Sequence, residues 1–284
     1  MTADSATGSA KIGILLMHGL CGSPAELRFV ANGLSREGMT VSCPALEGYS
    51  GSAADIETSS WHDWYRSAER ALEELSATCD KVIVGGLSTG AVLGLMLAAR
   101  RPDKVHGLAL YSPTLWLSGR SVPRYLSLFR FVDSKWFANF FRFPVPDHIG
   151  IKDQRIRDFV SNAGRAASGA FSSIGTPGAV VVERRRLCKV AMSLLKGISQ
   201  PAVILHARDD DYAGLDNAAY LQRELSGQVD LVVLDDCYHM VTVDRQRDIV
   251  LGRTREFAAR VGGTDRTGLA KRNAPATRLR TSLA

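Results

Sequence analysis

Gly86-Leu87-Ser88-Thr89-Gly90 spells G-x-S-x-G directly after the β-branched run Val82-Ile83-Val84 and directly before Ala91-Val92-Leu93-Gly94-Leu95-Met96-Leu97-Ala98. A serine placed between a strand and a helix in this way sits on a sharp, strained turn with its hydroxyl clear of its neighbours. The flanking glycines are a mechanical requirement, because the backbone there passes close to both elements. Ser88 is therefore the candidate nucleophile. A phosphate-cradling turn fits less well: Gly85-Gly86 does not open a G-x-G-x-x-G, and Gly90 is followed by Ala91-Val92 rather than by Lys and then Ser or Thr.

The rest of the chain supplies the sheet that such a turn needs. Ile12–Met17 is a continuous apolar run, residues 25–36 have helical spacing through Leu27, Val30 and Leu34, and residues 40–43 read as a short strand. Ser60, with Asp63 three residues on, marks a helix start ahead of Trp61, Trp64, Tyr65, Ala68, Leu72 and Leu75. Residues 105–111, 202–206 and 229–234 read as further strands, the last two separated by a helical stretch over 215–225. This alternation predicts an α/β protein with a mostly parallel central sheet flanked by helices on both faces.

Length and charge bound the function classes. At 284 residues and 45% hydrophobic content, one α/β core with an insertion suffices. No apolar run approaches the roughly 20 residues that span a bilayer, and the first ten residues lack the basic flank of a signal peptide, so a cytoplasmic protein is expected. Five cysteines without a C-x-x-C pair suit reduced thiols, and a Cys/His nucleophilic pair built on Cys21 or Cys237 is the weaker alternative to Ser88. The formal charge of +6 is concentrated in the tail, where Arg266, Lys271, Arg272, Arg278 and Arg280 face only Asp265. This distribution argues against a nucleic-acid partner, and the tail from residue 262 reads as disordered.

An acylating serine needs a base, an acid that orients the base, and donors for the oxyanion. Among the six histidines, His239 follows the last strand, whereas His206 lies in a strand, His106 begins one, His62 is on a helix and His148 is in the insertion. The acid is expected from Asp209-Asp210-Asp211, just after the strand at 202–206, and the other two of the three are expected in a solvated turn. The order Ser, Asp, His suits this type of sheet. The oxyanion donors are expected to be the backbone N–H groups of Thr89, after the nucleophile, and of Leu20, in the loop His18-Gly19-Leu20-Cys21-Gly22. His18 is expected to fasten that loop. Metal-ligand spacing is lacking, and neither a metal nor an organic cofactor is expected.

The segments Leu16-Met17-His18-Gly19-Leu20-Cys21-Gly22-Ser23-Pro24, Gly86-Leu87-Ser88-Thr89-Gly90, Ala207-Arg208-Asp209-Asp210 and Tyr238-His239-Met240-Val241-Thr242-Val243-Asp244 resemble bacterial α/β-hydrolase carboxylesterases and the related monoacylglycerol lipases. The resemblance runs over about residues 12–261 apart from the insertion. It implies the α/β-hydrolase fold and serine-esterase chemistry. The acid of its A-R-x-D segment falls on Asp210, and its H-x-x-x-x-D segment falls on His239 and Asp244. Relatives commonly carry Leu or Gly after the nucleophile where this chain has Thr89, a change that leaves a backbone donor in place.

The expected layout is a flexible start (residues 1–10), a hydrolase core (11–112 and 183–261), a helical cap over the site (113–182) and a disordered basic tail (262–284). The cap crowds Trp116, Tyr125, Phe129, Phe131, Trp136, Phe137, Phe140, Phe141 and Phe143 among Arg120, Arg124, Arg130, Lys135 and Arg142. It reads either as an apolar lid that takes an acyl chain and rests transiently on an anionic membrane, or as an ordinary cap core with snorkelling basic residues. The expected activity is hydrolysis of short to medium acyl esters or monoacylglycerol-like lipids. An acyltransferase or thioesterase would use the same triad, and a non-catalytic binding protein on this fold is the remaining alternative.

Overall fold

Continuous apolar strands dictate burial on both sides, and the computed structural model, which describes residues 10–49, 53–123, 126, 129, 131–144, 150–167 and 175–263, shows how this is met. Strands β1 (Ile12–Met17), β2 (Thr40–Ser42), β3 (Lys81–Leu87), β4 (Gly107–Tyr111), β7 (Ala202–Ala207) and β8 (Val229–Leu234) form one parallel sheet of order β2-β1-β3-β4-β7-β8. A separate antiparallel pair, β5 (Arg142–Phe143) and β6 (Thr176–Pro177), lies in the insertion. Along β1 the side chains alternate between two cores. Leu15 and Met17 pack with Trp64, Leu72 and Leu95, whereas Ile12, Ile14 and Leu16 pack with Leu27, Val30, Leu34 and Phe257.

The covering helices are α1 (Arg28–Arg36), α2 (Ala53–Thr58), α3 (Trp61–Ser76), α4 (Thr89–Arg100), α5 (Lys135–Ala138), α6 (Gln154–Ala167), α7 (Gly178–Leu194), α8 (Asp216–Glu224) and α9 (Arg247–Val261). At the start of α3, Asp63 Oδ2 accepts the Ser60 N–H at 2.8 Å, as the sequence pattern requires. The helical stretch expected over 25–36 is divided: Pro24–Leu27 form a 3-10 turn before α1. The strand expected to begin at 105 begins at Gly107, because His106 is spent at the edge of β3, where its Nδ1 accepts the Val82 N–H at 3.1 Å. Position 182, the expected end of the cap, falls inside α7, a continuous helix.

Strand order positions the site. β2 lies on one side of β1 and β3 on the other, so the chain reverses direction across the sheet between them. A crevice opens at such a switch point, outside the carboxyl ends of the strands. The loop after β1 and the turn after β3 border it. Leu87, Tyr111 and Leu205 are in register across β3, β4 and β7, and Ala207 pairs with Leu234 of β8. The loops carrying Ser88, Asp210 and His239 therefore leave one edge of the sheet. Among the described residues no helix is long and apolar enough to cross a membrane. Residues 1–9, the tail from residue 264, and Arg124, Tyr125, Arg130 and His148 lie outside the described residues.

Candidate active site

The turn that carries Ser88 is made possible by contact with β1. A Cβ on Gly86, whose φ is +143°, would lie 2.0 Å from the Met17 carbonyl oxygen, and one on Gly90 would meet the same oxygen at 2.0 Å. Neither position admits a side chain. Ser88 itself adopts φ 55° and ψ −111°, a conformation that costs a non-glycine residue about 1–3 kcal/mol. Its N–H is held by the Tyr111 carbonyl at 2.9 Å, and its carbonyl receives the Val92 N–H at 3.4 Å. The serine is 9% exposed.

Asp210 and His239 are joined directly. His239 Nδ1 lies 2.8 Å and 3.0 Å from the two carboxylate oxygens of Asp210, whose Oδ1 also accepts the N–H groups of Tyr212 and Ala213 at 2.9 and 2.8 Å. Burial disfavours the charged imidazole, but the charge and hydrogen bond of Asp210 outweigh it, and Asp211 adds to them, so the pKa of His239 is raised. Burial likewise opposes ionisation of Asp210. The charge and hydrogen bonding of His239 prevail and hold the carboxyl below its ordinary value.

The three aspartates do different things. Asp209 is exposed, as a solvated turn requires. Asp211 departs from that expectation: it is fully buried, and its carboxylate accepts the His239 N–H at 3.2 Å and the Ser121 hydroxyl at 3.3 Å. Asp244 anchors the same loop by accepting the N–H groups of Tyr238 and Lys152 at 2.9 and 2.8 Å.

The Ser88 hydroxyl donates to Thr114 Oγ1 at 3.2 Å, and no hydrogen bond joins Ser88 to His239 among the described residues. The loop after β1 also borders Ser88, where a Cβ on Gly19 would lie 3.7 Å from Ser88 Cβ. His18 fastens it: Nδ1 lies 2.9 Å from the Gly19 carbonyl and Nε2 accepts the Leu46 N–H at 3.3 Å. Burial pushes that imidazole down to about 4, so it is neutral. The N–H groups of Leu20 and Thr89 take no partner among the described residues. Cys21 has φ 55° in this loop. Burial raises its thiol, and that of Cys237, to about 12, which removes both as nucleophiles near neutral pH.

Glu26 was not legible as part of the site. Its Oε2 accepts the Gly19 N–H at 2.9 Å, and a Cβ on Gly19 would sit 3.4 Å from that oxygen and 3.7 Å from Ser88 Cβ. The carboxyl thus folds back beneath the loop, on the side of Gly19 that borders Ser88. Burial pushes it up to about 7, against the Gly19 and Ser23 backbone hydrogen bonds and the charge of His239. Thr114 was missed as well. Only its position just past β4, at the same sheet edge as Ser88, could have signalled it.

Comparison with known proteins accords with this geometry. Residues 8–246 match the family described as serine aminopeptidase, S33 (Hydrolase_4). The chain belongs to this hydrolase family. It is 28% identical over 263 residues to the thermostable monoacylglycerol lipase of Bacillus sp. (strain H-257), covering 89% of this chain and 92% of that one. It is 22% identical to the carboxylesterase of Bacillus subtilis (strain 168), over 86% of this chain and 91% of that one. A solved structure described with the metagenome-derived lipolytic enzymes LipS and LipT superposes with a TM-score of 0.73 at 25% identity, covering 89% and 95% of the two chains. A soluble variant of the monoglyceride lipase of Saccharomyces cerevisiae shares the fold, with a TM-score of 0.74 at 14% identity over 90% and 88%. The architecture is the α/β-hydrolase fold.

The raised pKa of Glu26 yields a prediction with a definite sign. Its protonated form is favoured by the folded state, so the stabilisation is complete below the ordinary carboxyl value of 4.5 and is lost as pH rises through about 7. Glu26→Gln keeps an acceptor for Gly19 and removes the titration. The Tm of the variant relative to the parent is predicted to be higher at about pH 8 than at about pH 5. An offset independent of pH would contradict the assignment.

Proposed function

We propose that this hydrolase cleaves carboxylic esters of short to medium acyl chains, including monoacylglycerol-like lipids, through an acyl-enzyme on Ser88. The observation that carries the reading is a strained serine and a buried Asp210–His239 pair at one end of one sheet. On substrate binding the Ser88 hydroxyl turns from Thr114 to His239; catalytic hydrogen bonds are commonly loose before substrate is bound. As its oxygen attacks the ester carbonyl, His239 takes the proton. Asp210, bonded to Nδ1, holds the tautomer that leaves Nε2 as the base and stabilises the imidazolium. The N–H groups of Leu20 and Thr89 receive the oxyanion. Collapse of the adduct breaks the ester C–O bond, and the alcohol leaves with the proton from His239. Water, deprotonated by the same imidazole, then releases the acid. The monoacylglycerol lipase and carboxylesterase named above support the substrate class.

The segment between β4 and β7 is the proposed cap. Phe131, Trp136, Phe140 and Phe159 are each 69–74% exposed on it, and the Trp136 and Phe140 rings meet at 5.0 Å to form an exposed aromatic pair. Of the basic residues that accompany them in sequence, Arg155 is exposed, whereas Arg142 pairs with Glu57 at 2.7 Å and Lys135 donates to the Thr58 carbonyl at 2.9 Å. Such a surface suits transient contact with an anionic membrane that presents lipid substrate. Sedimentation with phosphatidylglycerol vesicles is predicted to retain the parent and to lose the double variant Trp136→Ser, Phe140→Ser. No retention of the parent, or equal retention of both, would remove membrane contact through this surface and leave the esterase reading intact.

The activity is tested with p-nitrophenyl esters from acetate to laurate. Hydrolysis by the parent is expected to vanish in Ser88→Ala and to fall by roughly 10⁴-fold in kcat in Asp210→Asn. Asp209→Asn is expected to change little. No hydrolysis of any ester by the parent, or undiminished hydrolysis by Ser88→Ala, would overturn the proposal.

A further inference from the structure

Among the described residues Arg184 is a buried cation with no carboxylate partner. Its neighbours on α7 are all engaged: Glu183 accepts the Trp61 N–H at 3.1 Å and pairs with Arg186 at 2.6 Å, while Arg185 pairs with Asp133 and donates to the Phe129 and Val132 carbonyls at 2.8 and 2.9 Å. Arg184 turns the other way, into the protein. It is 6% exposed, and its Nη2 donates at 2.6 Å to the backbone carbonyl of Thr114. Among the described residues no carboxylate lies within ion-pair distance of it.

The surroundings sharpen this. Thr114 is the residue whose Oγ1 receives the Ser88 hydroxyl, so one residue separates the guanidinium from the nucleophile. The charge of Arg184 also reaches His239, where it opposes protonation. The two buried acids nearby are committed elsewhere: Asp210 to His239 and to the N–H groups of Tyr212 and Ala213, Asp211 to the His239 N–H and Ser121. The Cys188 thiol, one turn along α7, also lies on the Thr114 carbonyl, at 3.5 Å. A guanidinium carries five N–H donors in a planar fork, and one carbonyl satisfies one of them. An uncompensated buried cation is destabilising, and its fork matches the oxygen pairs of carboxylate and phosphate.

Building on the esterase reading, we infer that Arg184 anchors an anion subsite beside Ser88, so that the preferred ester carries a carboxylate or phosphate group close to its scissile carbonyl. The anion belongs either to the acyl part, as in the half-ester of a dicarboxylic acid, or to the alcohol part, as in an acylated glycerol phosphate. In either case it supplies a charge that no carboxylate among the described residues gives Arg184. The Thr114 carbonyl tethers one end of the guanidinium through Nη2, and α7 brings it to the site.

The test compares kcat/KM for two matched pairs: the mono-p-nitrophenyl ester of glutaric acid against p-nitrophenyl valerate, and butyryl glycerol phosphate against butyrylglycerol. The parent is expected to favour the anionic member of one pair by roughly tenfold or more, and the pair concerned tells which side of the ester bears the anion. Arg184→Gln is expected to abolish that preference and Arg184→Lys to keep part of it. The inference is overturned if the parent favours the neutral ester in both pairs, or if the anionic-to-neutral ratio is unchanged in Arg184→Gln. Calorimetric titration of glutarate and of glycerol phosphate into the parent needs neither turnover nor a folded variant, and no heat from either anion at millimolar concentration would also overturn it. Turnover of the neutral esters reports on the esterase reading separately.

Discussion

The site depends on one close approach of backbone to backbone. The Met17 carbonyl at the end of β1 occupies the space that side chains at residues 86 and 90 would need, with 2.0 Å to either hypothetical Cβ. That contact brings the turn after β3 against the loop after β1, across the point where the strand order reverses. Ser88 is forced to φ 55°, and the loop with Gly19 and Leu20 lies alongside it. Strain of about 1–3 kcal/mol at one residue is sustained because strands buried on both faces and the body of α4 leave the turn no alternative course.

Around this turn the fold arranges charges instead of excluding them. Asp210 favours a protonated His239, Asp211 adds to it through the fold, and Arg184 works against both. Glu26, raised to about 7, lies beneath the loop that borders Ser88. The balance matters for a base that must be neutral to accept a proton and then be stabilised once charged. In the proposed mechanism Asp210 does the second task for His239, and the charge of Arg184 limits how far the first is compromised.

Local patterns revealed most of the frame. The strands over 12–17 and 229–234 have the expected bounds, and the capping pair Ser60 and Asp63 starts α3 where its spacing requires. The G-x-S-x-G segment is a strand-to-helix turn, as its flanks imply. What stayed hidden depends on long-range packing. Arg184 sits in the run Arg184-Arg185-Arg186, which in sequence is indistinguishable from a solvated face, and only the fold turns its first member inward. Glu26 lies in the short 3-10 turn Pro24–Leu27, and nothing in its spacing tells that its carboxyl returns to Gly19. Asp211 stands in a run of three acids of which the fold exposes one and buries two.

Ser88 is the proposed nucleophile, set apart from the chain's other serines by its strained turn and by the nearby Asp210–His239 pair. Reaction of the parent with diethyl p-nitrophenyl phosphate, followed by peptide mapping by mass spectrometry, tests it directly. The serine oxygen would displace p-nitrophenolate from phosphorus and retain the diethylphosphoryl group. The account predicts one such group per chain, on the peptide containing Ser88, in an amount equal to the p-nitrophenolate released. An unmodified Ser88, or a label spread over other serines and cysteines, would contradict it.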